Sequence, residues 1–169
     1  NGGDTLILPS NDASDIFISN TIITNNTIVK SGKGLFNNQR GSIKVEYCDI
    51  SNNDVDKFVG STGTITANNN WWGTNDQPDS KVDNWVIMNV VPASAENIEI
   101  GDTVPITVDF KHYTDGTTVS ELADSIPELK VTATATTGSL DKAEAITENG
   151  QASFVYTAVA GGEDTVNIA

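Results

Sequence analysis

Three stretches in the first half of the chain can be written one above another. SDIFISNTIITNN (14–26) over GSIKVEYCDISNN (41–53) sets an offset of 27, and GTITANNNWWG (63–73) under GSIKVEYCDIS sets one of 22. Ile16, Ile43 and Ile65 then share a column, Ile18, Val45 and Ala67 a second, and Ile23, Ile50 and Trp72 a third. Asn25 stands over Asn52 and Asn26 over Asn53. At the long offset Ile28 meets Val55, whereas at the short one Phe36 meets Phe58, so the extra residues belong in KSGKGLF (30–36) as a bulging loop. Repetition at this spacing makes a chain quasi-one-dimensional: each repeat touches its neighbours, and like residues stack on like.

Short β-branched runs separated by Asn, Gly and Ser predict coils of a right-handed parallel β-helix stacked ~4.8 Å apart. Aliphatic columns fill its interior, and asparagines in matching turns hydrogen-bond from coil to coil. A doubly wound α/β sheet would need amphipathic helical stretches between the strands, and none is present.

A stack of coils ends in an open apolar core and an unpaired edge, both of which need a cover. All three tryptophans lie in WWGTNDQPDSKVDNW (71–85). Trp72 falls in the column of Ile23 and Ile50, and the loop to Trp85 is placed to fold over the end. Trp72 and Trp85 are therefore read as a structural cap. Trp71 is the candidate for binding, since an exposed indole face can stack on a sugar ring.

Composition changes near residue 85: 14 of the 18 asparagines precede it, and Thr, Val and Ala dominate the later part. Residues 1–85 are expected to form the β-helix end and residues 86–169 a second all-β domain. Val104, Ile106, Val108 and Phe110 alternate on one face, as do Leu129, Val131, Ala133 and Ala135, and then Val166 and Ile168. Asn149-Gly150 is a hairpin signal, and Pro105 marks an edge strand or a bulge. SELADSIPEL (120–129) reads equally as a helical turn or a loop. About seven strands without a helix predict an immunoglobulin-like β-sandwich.

The net charge is −14, divided −4 and −10 on either side of Trp85. Such a surface repels phosphate backbones and anionic lipids, so neither nucleic acid binding nor membrane insertion is expected. The opening NGGDTLILPS lacks the marks of a signal peptide, and the chain reads as a piece whose export signal or anchor lies elsewhere.

No catalytic residue is assigned. Asp49, Asp54 and Asp56 are the carboxylates weighed for polysaccharide cleavage, but Asp49 aligns with Ile22 and Trp71, and the other two stand in a polar turn. Arg40 has no carboxylate cluster beside it in sequence. His112 and Cys48 lack neighbours at metal-ligand spacing. No cofactor is expected; Ca²⁺ is the ion for which TNDQPDS (74–80) offers oxygens, without EF-hand spacing. Asn25 opens the one glycosylation sequon, NNT, although its alignment with Asn52 favours an internal turn residue. Asn167 lies on the last strand without a lysine in the first to form an isopeptide bond.

The Asn-rich coils, NNWWGTN and VDNWVIMNVVPAS together resemble the adhesin-like surface proteins of methanogenic archaea, in which β-helix repeats precede immunoglobulin-like modules. IEIGDTVPITVDF, TTGSL and ENGQASFVYTAVAGGEDTVNIA look like the bacterial Ig-like modules of the invasin and intimin type. The resemblance implies an extracellular, non-enzymatic fragment that attaches to other microbial or host cell surfaces. A glycan-binding module is the alternative, and a polysaccharide lyase or hydrolase of the β-helix class the third.

Overall fold

The structure, a computed structural model, describes residues 2–3, 15–28, 34–38, 41–61 and 63–169. Residues 30–33 of the expected insertion, and Arg40, lie outside them. The chain is all-β. Among the described residues there is no helix, and so none long and apolar enough to cross a membrane. Contacts divide it into two compact units, Asn1–Ile87 with Lys111–Pro127, and Met88–Phe110 with Glu128–Ala169. The sequence placed one join at 85/86. The contacts place it after Ile87 and return residues 111–127 to the first unit. Both crossings lie inside strands, where apolar alternation continues and gives no sign of a boundary.

The first unit contains β1 (Gly2–Gly3), β2 (Asp15–Ser19), β3 (Thr27–Ile28), β4 (Phe36–Asn38), β5 (Ser42–Glu46), β6 (Val59–Ser61) and β7 (Thr64–Thr66). They pair in parallel as β2-β5-β7, β4-β6 and β1-β3. Ile16 opposes Ile43 and Ile43 opposes Ile65, the register of the columns read from the sequence. One pairing differs. Phe36 opposes Val59 rather than Phe58. Side chains alternate across a strand, so this register points Phe36 and Val59 into the core together and leaves Phe58 half-buried against Trp72.

Asparagine serves two separate purposes in these turns. Asn20, Tyr47 and Asn69 occupy one column with φ of 46°, 54° and 60°, and Asn25 and Asn52 another with 58° and 56°. Asn tolerates this left-handed conformation better than other residues with a Cβ, which explains much of its abundance. The side-chain ladder belongs to the next position: Asn26 Nδ2 donates to Asn53 Oδ1 at 3.0 Å, and Asn53 Nδ2 donates to the carbonyls of Ile23 and Ile50, both at 2.7 Å. Asn25 is therefore not the internal residue its alignment suggested. Its backbone N–H bonds Asn52 O at 3.1 Å while its side chain is exposed, because the left-handed turn directs it outward.

Strand β8 (Trp85–Val91) leads into the second unit, and β9 (Thr103–Thr114) leads back to the first, where β10 (Val119–Glu121) pairs with its end. The second unit continues with β11 (Lys130–Ala135), β12 (Ser139–Leu140), β13 (Glu144–Ile146), β14 (Gln151–Thr157) and β15 (Val166–Ile168). One sheet runs β10-β9-β14-β12 with β8 also on β9, and another β13-β11-β15. Ile106, Val108 and Phe110 are buried on β9, Val131 and Ala133 on β11, and Ala152, Phe154 and Tyr156 on β14. Phe110 N donates to Gly150 O, so by alternation Pro105 turns its donorless nitrogen away from β14 and the ladder survives. Asn149 and Gly150, with φ of 49° and 74°, make the expected turn between Glu148 and Gln151. SELADSIPEL resolves into the end of β10 and a loop.

Asp164 ties the second unit together. Its carboxylate accepts the N–H groups of Thr137, Gly138 and Thr165 and the Tyr156 hydroxyl, the last at 2.8 Å. These donors, the Gly138 amide above all, favour the ionised form and hold its pKa down at about 2, while the same contact raises Tyr156. Gly138 also lies so close under the Tyr156 ring that a Cβ would collide with it. A depressed carboxylate stabilises above its unfolded pKa of ~4 and ceases to as pH falls through its folded value. The second unit should hold its stability down to about pH 4 and lose part of it between about pH 4 and 2. Amide spectra recorded along a denaturant series at each pH check this, and Asp164→Asn should flatten the decline.

Candidate functional site

The tryptophan segment builds the end of the first unit. Trp72 and Trp85 are each 4% exposed. Trp72 belongs to one core cluster with Ile23 and Ile50, and Phe58 meets its ring edge-on, with centroids 4.6 Å apart. Trp85 donates its indole N–H to Asn75 O at 2.8 Å, and Val82 and Val86 beside it are fully buried. Among the described residues nothing accepts the buried Trp72 indole N–H.

The backbone of the final layer is satisfied from the same loop. Asp79 Oδ2 accepts the N–H groups of Phe58 and Val59, both at 3.1 Å, and its Oδ1 accepts that of Lys81. Further along, Asn69 N–H reaches Asn84 Oδ1 at 3.0 Å, Val86 N–H reaches Asn70 O at 2.9 Å, and Asp83 N–H reaches Asn68 Oδ1 at 3.2 Å. Residues 79–86 thus run along the last layer and occupy the bonds that a further layer would make. One layer in, Asn70 is fully buried. Its Oδ1 accepts Cys48 N–H, and its Nδ2 donates to Val45 O, both at 2.9 Å. Cys48 is buried as well, which raises its thiol pKa.

Sequence reasoning missed a second part of the cover. Residues 111–127, the far end of β9 with β10, belong to this unit: Asn20 Nδ2 donates to Ser125 O at 3.1 Å, and a Cβ on Gly116 would touch the Trp85 ring. No local signal marks this, because alternation on β9 is identical on both sides of the crossing. Ile126, buried within a polar loop, was the available hint.

Trp71 is half-buried and stands in a column with Asp49 and the exposed Ile22. Asp49 is itself buried, with Oδ1 on the Ser51 N–H at 3.0 Å, while Asp54 and Asp56 are exposed. In TNDQPDS, Thr74 Oγ1, Asn75 O and both Asp79 oxygens already accept the chain's own N–H groups. Among the described residues no three of His, Cys, Asp and Glu gather to hold a metal.

The most open aromatic is elsewhere. Phe17 on β2 is 61% exposed, with Lys44 Nζ 5.4 Å from its ring centre and Lys44 paired to Glu46 at 2.8 Å. Outward positions of β2, β5 and β7 line up as Asp15, Ser42 and Thr64 in one row and Phe17, Lys44 and Thr66 in the next. Period-two alternation in DIFIS placed Phe17 outward, and this was the signal available to find it. Comparison with family models, with characterised proteins and with solved structures found no match.

Asp79→Ala removes one acceptor from two N–H groups and should cost roughly 1–3 kcal/mol of the first unit's stability. Trp72→Ala should cost roughly 3–5 kcal/mol by emptying the end of the core. Denaturant unfolding followed by Trp fluorescence measures both.

Proposed function

We propose that the chain is a segment of a surface-displayed, adhesin-like protein without enzymatic activity. In this reading the first unit is the end of a right-handed parallel β-helix closed by its tryptophan cap, and the second is an immunoglobulin-like β-sandwich serving as a spacer. Its partners are other microbial or host cell surfaces, and its location is extracellular. The parallel columns at offsets of 27 and 22 support the coil reading. The two antiparallel sheets with alternating buried positions support the spacer.

The observation that carries the function is the outward face of β2, β5 and β7, where Phe17 stands open beside Lys44 and Glu46. An apolar ring flanked by both charges suits weak, shallow contact, and many such contacts sum to firm attachment through effective concentration. The same ring favours the second reading, a glycan-binding module, with Phe17 rather than Trp71 as the more accessible stacking surface.

Beads coated with the chain should adhere to a subset of a microbial and host cell panel. Phe17→Ser with Lys44→Glu should lower adhesion about tenfold or more, since small losses multiply across contacts. Saturable binding on a glycan array that the double variant abolishes would favour the second reading. Time-dependent release of reducing ends from polysaccharides would overturn both.

A further inference from the structure

The second unit holds a cavity of about 720 Å³ whose apolar wall is formed by Val104, Ile106, Tyr156, Ala158, Val166 and Ile168. Its position reveals an incomplete core. Val166 opposes Ala135 and Ile168 opposes Ala133, so they share the inward face of β11, where Val131 and Ala133 are buried. Val166 and Ile168 are nevertheless half-exposed, because no strand lies beyond them among the described residues.

The backbone at this edge is open in a defined pattern. Thr132 and Ala169 exchange both hydrogen bonds, at 2.7 and 3.0 Å, and Thr136 N donates to Thr165 O at 3.0 Å. By antiparallel alternation residues 165, 167 and 169 face β11, and Val166 and Ile168 direct their N–H and C=O groups away from it. An open row of donors and acceptors beside an apolar cavity is what an added strand requires: main-chain bonds on one side and pockets for alternate side chains on the other.

Charge narrows the occupant. Glu96, Glu163 and Asp164 stand among the lining residues, and no Lys, Arg or His does. A second copy carrying −14 would meet this acidic rim unfavourably. We propose that the cavity seats an extended β-strand of another polypeptide, laid along the outer edge of β15, with alternate apolar side chains in the cavity and neutral or basic ones outside.

The probe is a short capped peptide of alternating valine and threonine flanked by lysines, titrated into the full chain and followed by calorimetry and amide spectra. Saturable binding is expected, with the Val166 and Ile168 amides shifting and exchanging at least about tenfold more slowly. Val166→Pro removes an outward N–H without touching the β11 ladder and should weaken binding about tenfold, the worth of one backbone hydrogen bond. A peptide of the same composition with its valines grouped should not bind. Absence of saturation at millimolar peptide, shifts confined to other residues, equal binding of the grouped peptide, or self-association through these amides without peptide would each overturn the proposal.

Discussion

A parallel stack of strands leaves its last layer with backbone groups aimed at a neighbour that is absent, and most features of the first unit stem from this. Asp79, Asn84 and Val86 supply the missing bonds along the final edge, with Asp79 serving two N–H groups through one oxygen. The apolar end of the core is closed together with that edge, because the loop that carries these groups also carries Val82 and Trp85. Polar satisfaction and burial are thereby achieved by one short segment. An unsatisfied edge in this place would be a template for pairing with other chains.

The asparagines answer the same constraint within the stack. Turns repeated at one place in each layer need a residue that accepts positive φ, and Asn20, Asn25, Asn52 and Asn69 do so. Where the backbone leaves carbonyls or N–H groups facing the interior, Asn53 and Asn70 reach them with both ends of the side-chain amide. The two duties fall on adjacent positions. That is why the Asn pairs recur together in the sequence, and why only the inner member of the pair makes the ladder.

Those columns were legible because backbone pairing at a fixed offset leaves a direct trace in residue type: Ile16, Ile43 and Ile65 are the same amino acid for the same reason. The Phe36 pairing was misjudged by one residue, because two aromatics aligned by likeness when the inward direction of alternation chose Val59 instead. Trp72 and Trp85 were readable as large apolar residues at the end of a repeat. The excursion 111–127 was not, since it closes the unit from far along the chain and its strand pattern does not change where it crosses. The cavity beside β15 was equally silent: Val166 and Ile168 announce an inward face but not whether anything lies beyond it. Phe17 stood outward in plain alternation, yet its isolation from any motif concealed it.

The first unit depends on Ile16, Ile43 and Ile65 lying in neighbouring layers with their side chains in one line. Methyl-labelled isoleucine and through-space NMR transfer test this most directly, since adjacent parallel strands are separated by ~4.8 Å. Cross-peaks should connect Ile16 to Ile43 and Ile43 to Ile65, with a separate set linking Ile23 to Ile50. Strong Ile16–Ile65 transfer without either neighbouring contact, or no transfer within the set, would contradict it.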